Sequence, residues 1–480
     1  MDLVYYSESG TTGEAGDPYT GLDRFGRIAD QRWVDSSSTW VDLDRFQYGH
    51  DRNGNRLYEE NLLDPSKSEL YHDGGGYDKL DRLTSFSRGT LNGTKDGLTG
   101  SASRSQDWNL DALGNWDSVT DETSTTQTRT HDDQNRLTGV SGASSPTYSP
   151  NGEMLTDETG QTLAYDAWGR LVAVDVDADS VVDVSYAYDS LNRKVLVDEG
   201  GGEKAWYYTQ RWQVLEERDA ASGDVEVQYV WSPVYVDAMV LRDADTDGDG
   251  DTQDSGGSER LYVLHDANFN VTALTDVAGI VQERFVYDPY GERTVLNADW
   301  TVDTDGLSDF AFVHGHQGGR HYLATGLVDF RNRHLDTSLG RWERQDPKGY
   351  VDGLSTYEYV QTNPTNNIDP LGLQNESLLS ALGDRFWDEY LEDHGGADGF
   401  DSFGGSGMER PDIYSNPDGF YVSLCIGGAK AKAGRDQWKF CPVEISIQAS
   451  WDPLTSGSSL GTALELAVAL YGVESGATDL

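Results

Sequence analysis

Residues 330–373 read FRNRHLDTSLGRWERQDPKGYVDGLSTYEYVQTNPTNNIDPLGL. Two Asp-Pro-x-Gly units, 346–349 and 369–372, bracket a run dense in turn formers, 350–368. Each unit has the chemistry of a tight β-turn: Asp at its first position, Pro presetting φ at the second, Gly at the end. On that ground alone the two units are structural turns closing a barrel. Both turns also present a carboxylate. Where folding brings Asp346 and Asp369 within hydrogen-bond reach, like charge forces their pKa values apart, and one carboxyl stays protonated while the other ionises. That is the acid-and-base arrangement of an aspartic protease.

Upstream, a short unit recurs: aromatic-x-Asp or aromatic-Asp, two or three residues, Gly or Asn, Arg, then an apolar residue. Copies are YGHDRNGNRLY from Tyr48, YDKLDRLTSF from Tyr77, WNLDALGNWDSV from Trp108, HDDQNRLTGV from His131, YSPNGEMLTD from Tyr148, YDAWGRLVAV from Tyr165 and YDSLNRKVLV from Tyr188. Looser copies begin at Gly21, His265 and Tyr287. Self-similarity of this kind marks a repeat architecture. Starts from Tyr48 to Tyr188 lie between 17 and 31 residues apart, an elasticity that suits hairpins with variable loops. The aromatic ends one strand, Asp accepts backbone hydrogen bonds in the turn, Gly or Asn supplies φ > 0, and Arg-apolar alternation opens the next strand. Asp and Arg are expected to pair across neighbouring turns. No hairpin buries its face alone, so the array is expected to stack into one continuous sheet.

The chain has 480 residues, 36 basic and 83 acidic, for a net charge of −47. Aromatics reach 11%, which argues against disorder and suits pleated strands. So negative a surface repels nucleic acid and anionic lipid, excluding a nucleic-acid role for the repeats, and it is the composition of a surface adapted to high salt. Cys425 and Cys441 are the two cysteines, too few for a disulfide scaffold. The opening MDLVYYSESG lacks the basic and apolar regions of a signal peptide, and the longest apolar run, 466–471, is too short to span a bilayer.

Repeats followed by a double Asp-Pro-x-Gly block and an unrelated tail resemble the RHS (rearrangement hot spot) or YD-repeat proteins, which include teneurin-like shells. The resemblance rests on RNRHLD from Arg331, LGRWERQDP from Leu339, GLSTYEYVQTNPTNNIDPLGL from Gly353, and the Thr325-Gly326-Leu327 entry. It implies a mainly β fold: a β-hairpin array over 1–300 curling into a shell or barrel, an RHS core block over 301–373, and a small α+β variable tail over 374–480. In RHS proteins and in the C components of insecticidal toxin complexes this block cuts its own chain after the second Asp-Pro-x-Gly-Leu. Carried over, cleavage falls between Leu373 and Gln374, with Arg333, Asp346 and Asp369 as the catalytic set. Arg333 would orient or charge-stabilise the carboxylates, which would activate water and protonate the leaving amine. The resemblance further implies secretion or display at the cell surface, with the chain's own C-terminal domain as partner. A non-enzymatic surface protein that binds glycans or other surface partners is the alternative.

Three features have other readings. Asp245, Asp247, Asp249 and Asp251 alternate like the start of a calcium loop, although Gly256 stands where the bidentate Glu belongs. Calcium is thus the one ion the chain suggests, against a solvated hairpin insertion; no other cofactor is expected. His314, His316 and His321 invite a zinc reading, but no adjacent carboxylate or Cys completes a set. In the tail, Leu378, Leu379, Leu382, Phe386, Trp387, Tyr390 and Leu391 fall at helical spacing and predict a helix over 376–392. Strands are expected over 420–426 and 443–449, and a second helix over 460–470. His394 with Asp393 or Asp398 is a lone loop histidine, and Lys430, Lys432, Arg435 and Lys439 form the tail's basic patch.

Overall fold

The computed structural model describes residues 2–5, 21–35 except 24 and 26, 41–377 except 73–74, 234, 249, 251 and 253–258, and five strands between 412 and 450. Each repeat turn forms as its residues dictate. In YDAWGRLVAV the strand Thr162–Tyr165 ends on the aromatic, and Asp166 Oδ1 accepts the backbone N–H groups of Trp168 (2.9 Å) and Arg170 (3.0 Å). Gly169 takes φ +72°, and strand Leu171–Asp175 follows. The same two acceptances recur at Asp78, Asp132 and Asp189.

The Asp–Arg pairing expected across turns closes instead within each turn. Arg170 Nε and Nη2 lie 2.7 and 2.6 Å from Asp166 Oδ2, and Asp23–Arg27, Asp78–Arg82, Asp132–Arg136 and Asp189–Arg193 repeat this. The turn occupies Oδ1, so Oδ2 is left for the arginine four residues on. Only Nη1 leaves the turn, and it finds the next turn's backbone: Arg27 donates to the Asp51 carbonyl (2.9 Å), Arg82 to Asp111 (2.8 Å) and Arg170 to Asp189 (3.3 Å).

The strands pair antiparallel in chain order, but in two sheets rather than one. Ten strands run from Asp2–Tyr5 to Leu137–Val140, and fourteen from Thr147–Tyr148 to Arg293–Asn297. The break is the Ser/Gly segment holding Pro146, which has no N–H for a ladder. Side-chain bonding spans the gap: the Leu137 N–H donates to Tyr148 Oη at 3.3 Å. The array curls until early strands meet late ones. Gln31 and Trp33 side chains both donate to the His265 carbonyl, at 2.8 and 2.7 Å, and Arg284 Nη2 donates to the Leu43 carbonyl at 3.0 Å.

The segment after the repeats forms a four-stranded sheet, Arg320–Tyr322, Leu327–Phe330, Arg333–Asp336 and Arg341–Trp342. Its apolar side chains pack against those of the array. Val328, Phe330, Leu335, Trp342 and Tyr359 share a cluster with Leu83, Phe86, Trp108 and Trp116. Tyr322 and Leu327 join Leu163, Val184, Tyr186 and Trp206 in another. Burying so many aromatics supplies the stability no single hairpin can generate.

The chain divides into two compact units, Met1–Trp387 and Asp388–Leu480. In the second, Gly419–Ile426 pairs with Asp412–Asn416 and with Val443–Ser450, and Ala429–Ala433 pairs with Asp436–Phe440. Lys430 and Lys439 share one register position. The expected helix over 376–392 is corrected at its start: Glu376–Ser377 is a strand, paired with Asn367–Ile368. The apolar spacing starts only at Leu378, so it gives 376–377 no helical face to set against pairing with 367–368. Residues 378–392 and 460–470, His394, Asp393, Asp398, Arg435, Cys441 and the Cys425 side chain lie outside the described residues.

Candidate processing site

Both Asp-Pro-x-Gly units fold as turns closed by a backbone bond, Gly349 N–H to the Asp346 carbonyl (2.9 Å) and Gly372 N–H to the Asp369 carbonyl (3.2 Å). The two turns set their carboxylates on one guanidinium. Arg333 Nη2 lies 3.0 Å from Asp346 Oδ2 and 3.0 Å from Asp369 Oδ2. Arg333 starts the strand Arg333–Asp336, is 2% exposed, and stacks on Trp342 with its Cζ 4.3 Å from the ring centroid. Its Nε donates to the Gly372 carbonyl at 2.6 Å. So Arg333, Asp346 and Asp369, expected as a set, are brought together.

The remaining oxygens are also engaged. Asp346 Oδ1 accepts the Lys348 N–H at 2.7 Å. Burial pushes the Asp346 carboxyl above the ordinary Asp range, against the pull of Arg333. Burial likewise draws the Arg333 guanidinium below its usual value, opposed by Asp369 and Asp346. Asp369, 1% exposed, accepts through Oδ1 the N–H groups of Leu373 (3.0 Å) and Gln374 (3.2 Å). It therefore touches the backbone on both sides of the Leu373–Gln374 bond.

Two neighbours of Arg333 extend the grip. Arg331 Nη1 donates to the Pro370 carbonyl (2.6 Å) and Asn332 Nδ2 to the Leu371 carbonyl (2.9 Å). Three consecutive side chains thus hold three consecutive carbonyls, Pro370 to Gly372. Gly372 is required where it sits: φ is +62°, and a Cβ would lie 2.7 Å from the Phe330 carbonyl oxygen and 2.9 Å from the Arg333 nitrogen. Beyond the bond, Asp352 Oδ2 accepts the Asn375 N–H at 2.9 Å. Sequence reasoning missed Arg331, Asn332 and Asp352. The first two adjoin Arg333 in RNR; Asp352 carries no signal beyond lying between the two turns.

The other candidates separate. Asp245 and Asp247 converge with Glu259, not with a residue at the expected loop position, while Asp249 and Asp251 lie outside the described residues. Asp245 already accepts the N–H groups of Gly248 (2.6 Å) and Gly250 (2.9 Å). His314, His316 and His321 are buried among rings of Tyr229, Trp231, Tyr287 and Tyr359, and burial holds His314 down to about 4 and His316 to about 3. The His316 N–H donates to His321 Nε2 at 3.0 Å. Among the described residues, the clusters with metal-ligand spacing are carboxylate groups without histidine. None of the described helices is long and apolar enough to cross a membrane.

The RHS Repeat family model matches residues 165–204, the units at Tyr165 and Tyr188. Double-stranded DNA deaminase toxin A of Burkholderia cenocepacia (strain H111) is 29% identical over 250 residues, 48% of this chain and 17% of that protein. Toxin subunit YenC2 of Yersinia entomophaga is 35% identical over 98 residues, 20% of this chain and 10% of that protein. The TcdB2-TccC3-TEV crystal structure superposes with a TM-score of 0.57 at 19% identity, over 72% of this chain and 18% of that one. The last comparison establishes the shared β fold. The chain spans under a fifth of the length of each of these proteins.

Proposed function

We propose that this chain, which belongs to the RHS-repeat proteins, is the shell and processing block of a secreted toxin carrier that cuts itself between Leu373 and Gln374 and holds or releases a C-terminal domain. The observation that supports the reading most is the placement of Asp369: one oxygen on Arg333, shared with Asp346, and the other on the N–H groups flanking that bond. The pair acts with one proton between them. Water adds to the Leu373 carbonyl carbon as the ionised carboxylate takes its proton. The Gln374 nitrogen then accepts a proton from the carboxyl beside it, and the C–N bond breaks to a Leu373 carboxylate and a Gln374 amine. Arg333 offsets the charge of the pair in a site where water screens little. The clamp on residues 370–372 fixes the carbonyl side, which confers the advantage of an intramolecular reaction.

Intact mass of the wild-type chain and of Asp369→Ala tests this. A wild-type break after Leu373 that is lost in the variant is the expected result. A single uncut species in both would make the two units structural turns only. The relatives carry names as different as a DNA deaminase toxin and a toxin subunit, which supports a carrier whose C-terminal cargo varies between proteins.

A further inference from the structure

The carbonyl side of the Leu373–Gln374 bond is held by three side chains, whereas the amine side rests on Asp369 at Gln374, one further carboxylate and a short ladder. Glu376 and Ser377 pair with Ile368 and Asn367. Between that ladder and Asp369 the chain has one further anchor, the Asn375 N–H donated to Asp352 Oδ2 at 2.9 Å. We propose that Asp352 is a positioning residue for self-cleavage, fixing the backbone at Asn375 so that the Gln374 nitrogen stays against Asp369. The proposal rests on the reading of 373–374 as the cleaved bond.

The geometry gives the role a charge dependence. Asp352 is half-buried, and Asp369, Asp346, Arg333 and Glu358 are the charged groups that face it. Burial lifts its carboxyl to about 6; Asp369 and Asp346 add to that, while the Asn375 N–H and Arg333 oppose it. A charged acceptor makes the stronger bond to N–H, so the anchor tightens as pH rises through about 6.

The test follows full-length chain diluted from denaturant, with intact mass read over time between pH 5 and 8. Asp352→Ala is expected to slow cleavage by about 10- to 100-fold, the range for a displaced reacting group. Asp352→Asn keeps an acceptor and is expected to recover most of the rate while losing the inflection near pH 6. In the uncut Asp369→Ala background, adding Asp352→Ala is expected to speed amide exchange at Asn375. Wild-type rates in Asp352→Ala, or unchanged Asn375 exchange, would overturn the proposal while leaving self-cleavage standing. A wild-type chain that never cuts would overturn the cleavage reading itself, and this role with it.

Discussion

Glu217 and Arg320 tie a repeat strand to the core block, and their energetics can be worked from the geometry. Glu217 lies on Val214–Asp219 and Arg320 on Arg320–Tyr322; the side chains are 2% and 8% exposed, with Nη1 and Oε1 2.5 Å apart. At an effective dielectric of about 20, unit charges at that separation attract by roughly 7 kcal/mol. Desolvating the two ions costs several kcal/mol each, so the pair is worth little against an apolar pair of similar volume. Removing one partner is different, because it strands the other charge, at about 3–5 kcal/mol. Glu217→Gln is expected at the low end, since Glu199 lies 3.6 Å from Arg320 and Trp206 underlies it at 4.4 Å. Arg320→Met is expected at the high end, with Tyr229 Oη (2.6 Å) left on the buried carboxylate. The double variant Glu217→Gln/Arg320→Met should lose less than the two singles together. Urea unfolding followed by tryptophan fluorescence, at unchanged m, measures all three. A double variant that loses the sum of the singles would refute the reasoning. Burial raises the Glu217 pKa, but Arg320 and the Tyr229 hydroxyl hold it below the usual Glu value. Its contribution is therefore complete above the unfolded pKa of about 4.3 and lost as pH falls through the lower folded value.

Three further outcomes are expected. Gly372→Ala should abolish cleavage and destabilise the fold by more than ~1 kcal/mol, because Cβ meets backbone at a left-handed position; intact mass and urea melts check both. Asp166→Ala should cost about 1–3 kcal/mol, as two turn N–H groups and Arg170 lose their acceptor, and Asp166→Asn should recover part of that in the same melts. Burial, reinforced by Glu158, raises the Asp336 carboxyl to about 8. The folded chain then holds a proton that the unfolded one releases, so stability falls between about pH 4 and 8, and Asp336→Asn should flatten that slope in a pH series of melts.

The repeat was legible because its physics is local. Asp166, Gly169 and Arg170 make a complete turn within five positions, so no knowledge of the rest of the chain is needed. Asp346 and Asp369 were legible as a pair through the Asp-Pro-x-Gly motif, and Arg333 joined them only through the family resemblance. What stayed hidden is long-range and backbone-directed. Asp352 meets an N–H that any residue would offer, so nothing in the Asn375 side chain announces it. Glu376 and Ser377 belong to a ladder with residues 367–368, which the apolar period starting at Leu378 does not announce. Lys194, in the YDSLNRKVLV unit, is 3% exposed and 2.8 Å from both Asp329 and His334, partners 135 and 140 residues away that its own unit does not announce.

Backbone-directed contact also explains how so degenerate an array is held in place by one block. The left-handed residue of a repeat turn has a carbonyl outside the ladder, and five such residues meet a core-block side chain there. Asn363 Nδ2 donates to Asp81 O (2.8 Å), Arg341 Nη2 to Asn135 O (2.5 Å), Tyr357 Oη to Gly152 O (2.8 Å), Arg344 Nη1 to Gly169 O (2.6 Å) and Arg331 Nε to Trp212 O (3.2 Å). The turn residue is Asp, Asn, Gly, Gly or Trp, and the contact is the same, because φ and not the side chain sets the carbonyl's direction. Substitutions should therefore be asymmetric. Asn135→Gly keeps the left-handed φ of +62°, gives up only the side-chain contacts to Asn115 Nδ2 (2.9 Å) and the Leu354 carbonyl (3.4 Å), and should cost less than about 1 kcal/mol. Arg341→Ala removes the buried donor, takes away the partner of the Asn135 carbonyl and loses the stacking on Tyr357 (5.0 Å), and should cost about 1–3 kcal/mol. Equal losses at Asn135 and Arg341 in parallel urea melts would mean that the block recognises turn side chains, and that the variability of the repeat needs another explanation.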